Sequence, residues 1–223
     1  MFNFWFFRPG LDLLSISSRL TALIVIIVWF FPIHEIVHLW IYNLLNNRKS
    51  VFRNINFFEL FDPVGSLCMI LFNYGWARSI VPWSLIHSRK EKALIAIAGP
   101  IFNIVCSVAI GIIYNFFLLF CSFRVLNITW LFRFLSNLME MNIRLGILNF
   151  IPVPPFDAFR VLELFVPRKY LSFFYRNYFL INVSLSFLFL FGFFDTFMMF
   201  LDNSIKNVVL MISSLPFIFF RNI

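Results

Sequence analysis

The chain has 223 residues, 61% of them hydrophobic and 13% charged, with a mean hydropathy of +0.90. Soluble domains hold about 45–50% apolar residues, so composition excludes an ordinary soluble protein and leaves a polytopic membrane protein. A net charge of +8 would point to nucleic acid in a soluble chain, but here the basic residues sit in the gaps between apolar runs, where membrane topology needs them, and no nucleic-acid partner is expected.

From the N-terminus, Met1–Arg8 holds aromatic residues without a basic start or a small-residue cleavage site. A removable signal peptide is therefore not expected, and these residues are placed at the interface. The first apolar run, Leu20–Leu45, exceeds the roughly 20 residues that a spanning helix needs. Basic residues follow at Arg48, Lys49 and Arg53. Pro63–Tyr74 is apolar but short, and reads as a re-entrant hairpin or part of a tilted span, because irregular backbone at membrane depth must be covered by protein or line a wet cavity. After Arg78, Arg89, Lys90 and Lys92 come Ala93–Phe120 and Leu131–Phe150. After Arg160, Arg168, Lys169 and Arg176 come Phe179–Phe200 and Val208–Phe220.

The expected fold is an all-α polytopic membrane protein of about five to six transmembrane helices, in a single domain over residues 1–223. The positive-inside rule puts all three basic clusters in the cytoplasm if Pro63–Tyr74 re-enters; if it crosses, the first cluster moves to the far side. Cys68, Cys106 and Cys121 are odd in number and embedded in apolar sequence. They read as small buried hydrophobes and imply neither a disulfide framework nor a cysteine zinc site.

Within the first run, His34-Glu35-Ile36-Val37-His38 has the pattern H-E-x-x-H. Positions i and i+4 share one face of a helix, so His34 and His38 can offer two imidazole nitrogens to one tetrahedral Zn2+. Glu35 then sits beside the metal, as the base that takes a proton from the attacking water and passes it to the leaving amine. The pattern also arises by chance in large soluble helical proteins, where such histidines are surface or core residues. Here two of only three histidines fall at that spacing. A carboxylate at mid-membrane costs about 2.5–3.5 kcal/mol on insertion scales, which favours metal binding over chance.

A catalytic zinc usually takes three protein ligands and keeps one position open. Asn149-Phe150-Ile151-Pro152-Val153-Pro154-Pro155-Phe156-Asp157 can supply the third, because its prolines break the preceding helix and Asp157 follows at once. The segment reads equally as a proline stop at the interface, with Asp157 in water. Ala98-Gly99-Pro100 and Asn103 open the Ala93–Phe120 run with small residues that admit a close helix neighbour or serve ordinary packing. The short loop around Ser122–Trp130 puts the start of that run and the Asp157 end of the next on one membrane side, so Asn103 and Asp157 can share a depth.

HEIVH, DPVG at Asp62–Gly65, YGWAR at Tyr74–Arg78, AGPIFN at Ala98–Asn103 and NFIPVPPFDAFR at Asn149–Arg160 occur in the order found in the site-2 protease family of intramembrane zinc metalloproteases. The chain resembles the short bacterial-type branch, which has no PDZ or CBS domain. The resemblance covers about residues 20–165 as a catalytic core, with compatible C-terminal transmembrane helices over about 178–221. It implies a re-entrant segment around the active site, one Zn2+ per chain held by His34, His38 and Asp157, and Glu35 as the catalytic base. Asn149 is implied to position substrate or the attacking water, and Asn103 matches an asparagine of the family's third conserved helix. The implied activity is hydrolysis of peptide bonds within or near the transmembrane segments of other membrane proteins, in regulated proteolysis or turnover. The implied setting is the bacterial cytoplasmic (inner) membrane, with a transmembrane protein substrate and lipid as partners. Ala158 departs from the family's glycine after the aspartate; glycine would permit a positive φ or a closer approach there.

Several further expectations can be set against a structure. Extended substrate could pair strand-like with the region around Phe52–Gly65 and with the proline loop. Glu140 and Arg144 are four apart and should form a same-face pair. His87 reads as a solvated loop histidine, and Asp195 and Asp202 as interfacial residues. Two other functions fit parts of the pattern: a non-catalytic relative that binds membrane proteins, and a metal or proton transporter. The first should have lost at least one of His34, Glu35, His38 and Asp157. The second lacks an acid ladder and internal symmetry.

Overall fold

A computed structural model describes residues 12–46, 56–120, 126–193 and 195–222, and every regular element among them is helical. Met1–Arg8, the basic cluster Arg48, Lys49 and Arg53, and Cys121 lie outside the described residues. The first helix begins as α1 (Leu13–Val25), passes through a π-helical stretch at Ile26–Phe30 and continues as α2 (Phe31–Asn46). Asp12 starts it, its side chain accepting from the Ser15 N–H at 3.1 Å, which satisfies one of the donors left free at a helix start. The wider π turn falls one residue before the HEIVH helix, and such turns recur at functional sites.

After a 3-10 turn at Phe57–Leu60 comes α3 (Pro63–Phe72). Asp62 caps it by accepting from the Gly65 N–H at 2.8 Å, and Pro63 occupies the first turn, where its missing N–H costs nothing. Asn73 ends the helix in the left-handed region, at φ 63°. The chain then returns without regular structure, and the Arg78 N–H donates to the Leu60 carbonyl at 3.0 Å. Leaving and returning chain therefore meet at one level, which is the geometry of a hairpin. Gly65 makes the hairpin tight: a Cβ there would lie 2.9 Å from the Trp76 ring.

The long α4 (Arg89–Phe120), about 48 Å from end to end, packs against α2, α5 (Leu126–Asn149) and α9 (Asp195–Ser214). It is the central post of the bundle. Beyond α5 lie the short α6 (Ala158–Leu162), α7 (Arg168–Arg176) and α8 (Tyr178–Leu190). The predicted run Phe179–Phe200 is not one helix. Gly192 stops α8 at φ 67°, with the Phe193 N–H donating to Leu188 O and the Gly192 N–H to Phe189 O, the paired bonds of a Schellman cap.

Two stretches, Leu13–Asn46 and Arg89–Phe120, are long and apolar enough to cross a membrane. A third is gained if α7 and α8, bent by 67°, are one span. This is fewer than the five to six predicted. Helices α5 and α9 fall below that apolar standard, α5 carrying Arg133, Glu140 and Arg144 and α9 carrying Asp202 and Lys206. Arg144 pairs with Glu140 at 2.6 Å, as its spacing predicts, and also with Asp202 at 2.6 Å. Asp202, predicted to be interfacial, is 4% exposed and held between α5 and α9. His87 is exposed, as its loop position predicts. Of the region Phe52–Gly65, the described part holds a 3-10 turn at Phe57–Leu60 and the start of α3, with extended backbone at Asn56, Phe61 and Asp62 between and before them. The returning arm of the hairpin, residues 74–80, has no regular secondary structure.

Candidate metal centre

Helix α2 places His34, Glu35 and His38 on its buried side, where they are 2%, 2% and 0% exposed. Asp157 reaches them from the far end of α5. There the prolines stop the helix and a string of tight turns follows: Phe150 N to Ile147 O, Phe156 N to Val153 O, and Arg160 N to Asp157 O. The turns reverse the chain. Phe156, 1% exposed, anchors them edge-on against Trp76 of the hairpin, with ring centroids 5.8 Å apart. Asp157 is buried, and the reading of it as a solvated proline stop falls.

The Asp157 Oδ2 atom lies 3.0 Å from His34 Nε2 and 3.0 Å from His38 Nε2, and the two Nε2 atoms are 3.1 Å apart. The other nitrogen of His38, Nδ1, is 2.6 Å from the Ile95 carbonyl of α4. A carbonyl only accepts, so Nδ1 carries the proton and Nε2 of the neutral ring presents a lone pair. That lone pair faces a carboxylate oxygen, and it faces a second lone pair where His34 carries its proton on Nδ1, an atom with no partner of its own. Such a triangle of acceptors calls for a cation at its centre. A backbone carbonyl on the outer nitrogen is also the usual way a ligating histidine is oriented.

The donor set fits zinc. Ligand atoms bonded at about 2.0–2.1 Å in a tetrahedron stand about 3.3–3.4 Å apart, a few tenths of an ångström beyond the observed triangle. His34, Glu35, His38 and Asp157 all bring a candidate ligand atom within 4.8 Å of one another. Glu35 accepts from the Ile80 backbone in the returning strand, and its Oε2 is buried without a partner. That carboxylate oxygen is free to take a proton.

Gly99 explains how α4 comes so near. A Cβ at this position would lie 2.7 Å from His34 Nε2 and 2.6 Å from His34 Cε1. Any side chain would press on the imidazoles, so Gly99 does more than pack two helices. Asn103, one turn further along that face, is 0% exposed, and neither its Nδ2 nor its Oδ1 has a partner. Asn149 donates to the Leu145 carbonyl of its own helix at 2.9 Å and is 4% exposed. Asn103 makes no bond to the ligand atoms. Ala158 heads α6 with ordinary helical backbone, since Asn73 alone among the described non-glycine residues has positive φ. Nothing at that position calls for glycine.

Three features went unread in the sequence. The Ile95 carbonyl gives no residue-type signal. Trp83 lies edge-on to His38 with centroids 6.3 Å apart. Glu163 gathers Lys92 at 2.6 Å, Arg160 at 2.8 Å and the Tyr175 hydroxyl.

Fold and site together define a helical membrane protein with a buried centre of two histidines and two carboxylates, suited to one divalent cation. The chain is 27% identical to a Bacillus subtilis (strain 168) protein named "Putative zinc metalloprotease YwhC", over 162 aligned residues that cover 67% of this chain and 71% of that one. The relationship is distant. No protein-family model matches the chain, and no solved structure matches it.

Proposed function

We propose that this chain is an intramembrane zinc metalloprotease of the site-2 type, which hydrolyses peptide bonds within or near the transmembrane segments of other membrane proteins. One observation carries the reading: two helix-borne imidazoles and a loop-borne carboxylate converge within 3.0–3.1 Å while the glutamate next to the first histidine keeps an unpaired oxygen. The distant zinc metalloprotease relative and the apolar helices support it.

In this reading His34, His38 and Asp157 hold one zinc per chain, and the metal supplies a Lewis acid able to lower the pKa of water from 15.7 to about 7. The Glu35 carboxylate, through Oε2, accepts a proton from the attacking water and returns it to the leaving amine. Ile80 N–H holds the other side of that carboxylate, so the free oxygen keeps its aim. A substrate helix must unwind before its carbonyl can reach the centre. Irregular backbone at residues 74–80, beside Glu35, and the extended residues Phe61 and Asp62 offer it partners. Asn103, buried and unpaired, and Asn149 position substrate or water. The hairpin at Pro63–Tyr74 re-enters, which places the three basic clusters together on the cytoplasmic side of a bacterial inner membrane.

The test measures zinc content and cleavage of a model transmembrane substrate by purified protein, beside Glu35→Gln and Asp157→Ala. Glu35→Gln should keep the metal and lose cleavage; Asp157→Ala should lose both. Equal cleavage by wild type and Glu35→Gln would reject the base. Zinc bound without cleavage of any candidate would favour a non-catalytic binding relative.

A further inference from the structure

We propose that Lys92, Glu163, Arg160 and Tyr175, together with Trp83, form a clamp outside the ligand set that positions Asp157 and His38 for the metal. The proposal rests on the metal reading above. Asp157 comes from a loop, and no side-chain cap ties it to α6. That helix has five residues, too few to be stable alone. Its orientation must come from what it docks against, and the aim of the Asp157 carboxylate follows.

Glu163 supplies the dock. Its side chain is 5% exposed and takes Lys92 Nζ from α4 at 2.6 Å, Arg160 Nη1 from α6 at 2.8 Å and the Tyr175 hydroxyl from α7. One carboxylate thus joins three helices. Lys92 stands three residues before Ile95, whose carbonyl orients His38, and seven before Gly99, against which both imidazoles lie. The same stretch of α4 therefore sets the register of His38 and, through Lys92, of the helix that follows Asp157.

A second arm runs through Trp83. The Arg160 guanidinium sits 5.4 Å from the Trp83 ring centre, within the range of a cation–π contact. Trp83 Nε1 donates to Ser79 Oγ at 2.9 Å, which fixes the indole, and the ring meets His38 edge-on. Arg160 thus touches both arms, bonding Glu163 and backing the aromatic wall of His38. Electrostatics gives Glu163 a further duty. Lys92 and Arg160 are cations near a centre that must attract a cation, and Glu163 offsets them.

Removing such outer partners typically lowers metal affinity about 10- to 100-fold. The test is zinc affinity of the purified full chain in detergent, by competition with a chromophoric chelator, together with the absorption spectrum of the Co2+-loaded protein. Glu163→Gln and Trp83→Ala should each weaken zinc binding at least about 10-fold and shift the Co2+ bands. Trp83→Phe, which keeps an aromatic edge but lacks the Nε1–H that bonds Ser79, should restore part of the affinity lost in Trp83→Ala. Tyr175→Phe, which removes one hydroxyl and leaves the ring against Phe159, should weaken binding a few-fold with no change in the melting point of the metal-free protein. Wild type that binds one zinc beside folded variants that bind it equally tightly would overturn the clamp alone. Wild type that takes up no zinc would overturn the metal reading beneath it.

Discussion

Two buried clusters of ionisable side chains lie on the two faces of this bundle, and they are built on opposite principles. Between α5 and α9 each charged group faces an opposite charge: Arg144 meets Glu140 and Asp202 at 2.6 Å each, Lys206 approaches Glu140 at 3.6 Å, and the Arg144 guanidinium also covers the Tyr74 ring at 5.1 Å, although the second Asp202 oxygen, Oδ1, is buried without a partner. Around α2, acceptors face acceptors. The His38 Nδ1–H goes to the Ile95 carbonyl outside the triangle, Glu35 accepts from the Ile80 backbone, and two polar atoms, His34 Nδ1 and Glu35 Oε2, are buried without partners. Unsatisfied buried polar groups cost about 1–3 kcal/mol each. A cluster that balances its charges holds helices together; one that leaves them unbalanced awaits a ligand or a proton.

The largest test of this contrast is Glu35→Gln, which keeps size and burial and removes only the basic oxygen. Peptide cleavage should fall at least about 100-fold with zinc stoichiometry unchanged, in the range that a positioned base supplies. Next is Gly99→Ala. Its methyl group would sit within 2.7 Å of imidazole atoms, so zinc affinity should drop by an order of magnitude or more. The accompanying overpacking should cost about 1–3 kcal/mol, seen as a lower melting point. An alanine variant with wild-type affinity would show that α4 can retreat, and that close approach is no part of the site.

The unequal legibility of the two clusters follows from where their partners lie. The α2 half of the metal centre could be read from five consecutive residues, because helical period alone brings His34 and His38 together. Asp157 could be found because proline is a strong local breaker. The Arg144–Asp202 pair spans 58 positions and the Lys92–Glu163 pair 71. Such partners depend on the register of packed helices, which no local pattern encodes. Gly192 was a local signal, yet apolar residues on both sides hid it, and a Schellman cap went unread as a long span. Composition gave the helical class, but not the number of spans.

The balanced cluster should answer to mutation in stability and not in metal. Asp202→Ala would leave Arg144 buried beside Glu140 alone. Breaking a buried pair costs about 3–5 kcal/mol, and the lower end is expected because Glu140 remains. Thermal unfolding in detergent should show the loss, with one zinc still bound per chain. Loss of zinc in a folded Asp202→Ala protein would mean that the two clusters are coupled through α5.

The smallest expected effect is a pH dependence at Glu163, which lies beside neither cluster but tethers α6. Burial pushes its carboxyl up; hydrogen bonds from Lys92 and Tyr175 and the charge of Arg160 more than offset this and hold it below the ordinary value. A carboxyl depressed in the folded state contributes stability that is present above its unfolded pKa of about 4.3 and is lost as pH falls toward the folded value. Glu163→Gln removes the titration while leaving the groups around it in place. The difference in melting point between wild type and Glu163→Gln should therefore be constant from pH 6 to 7 on the scale of those values and shrink once the pH passes below about 4.3. A difference that grew on acidification would mean that Glu163 is held protonated, and that Lys92 and Arg160 do not govern it.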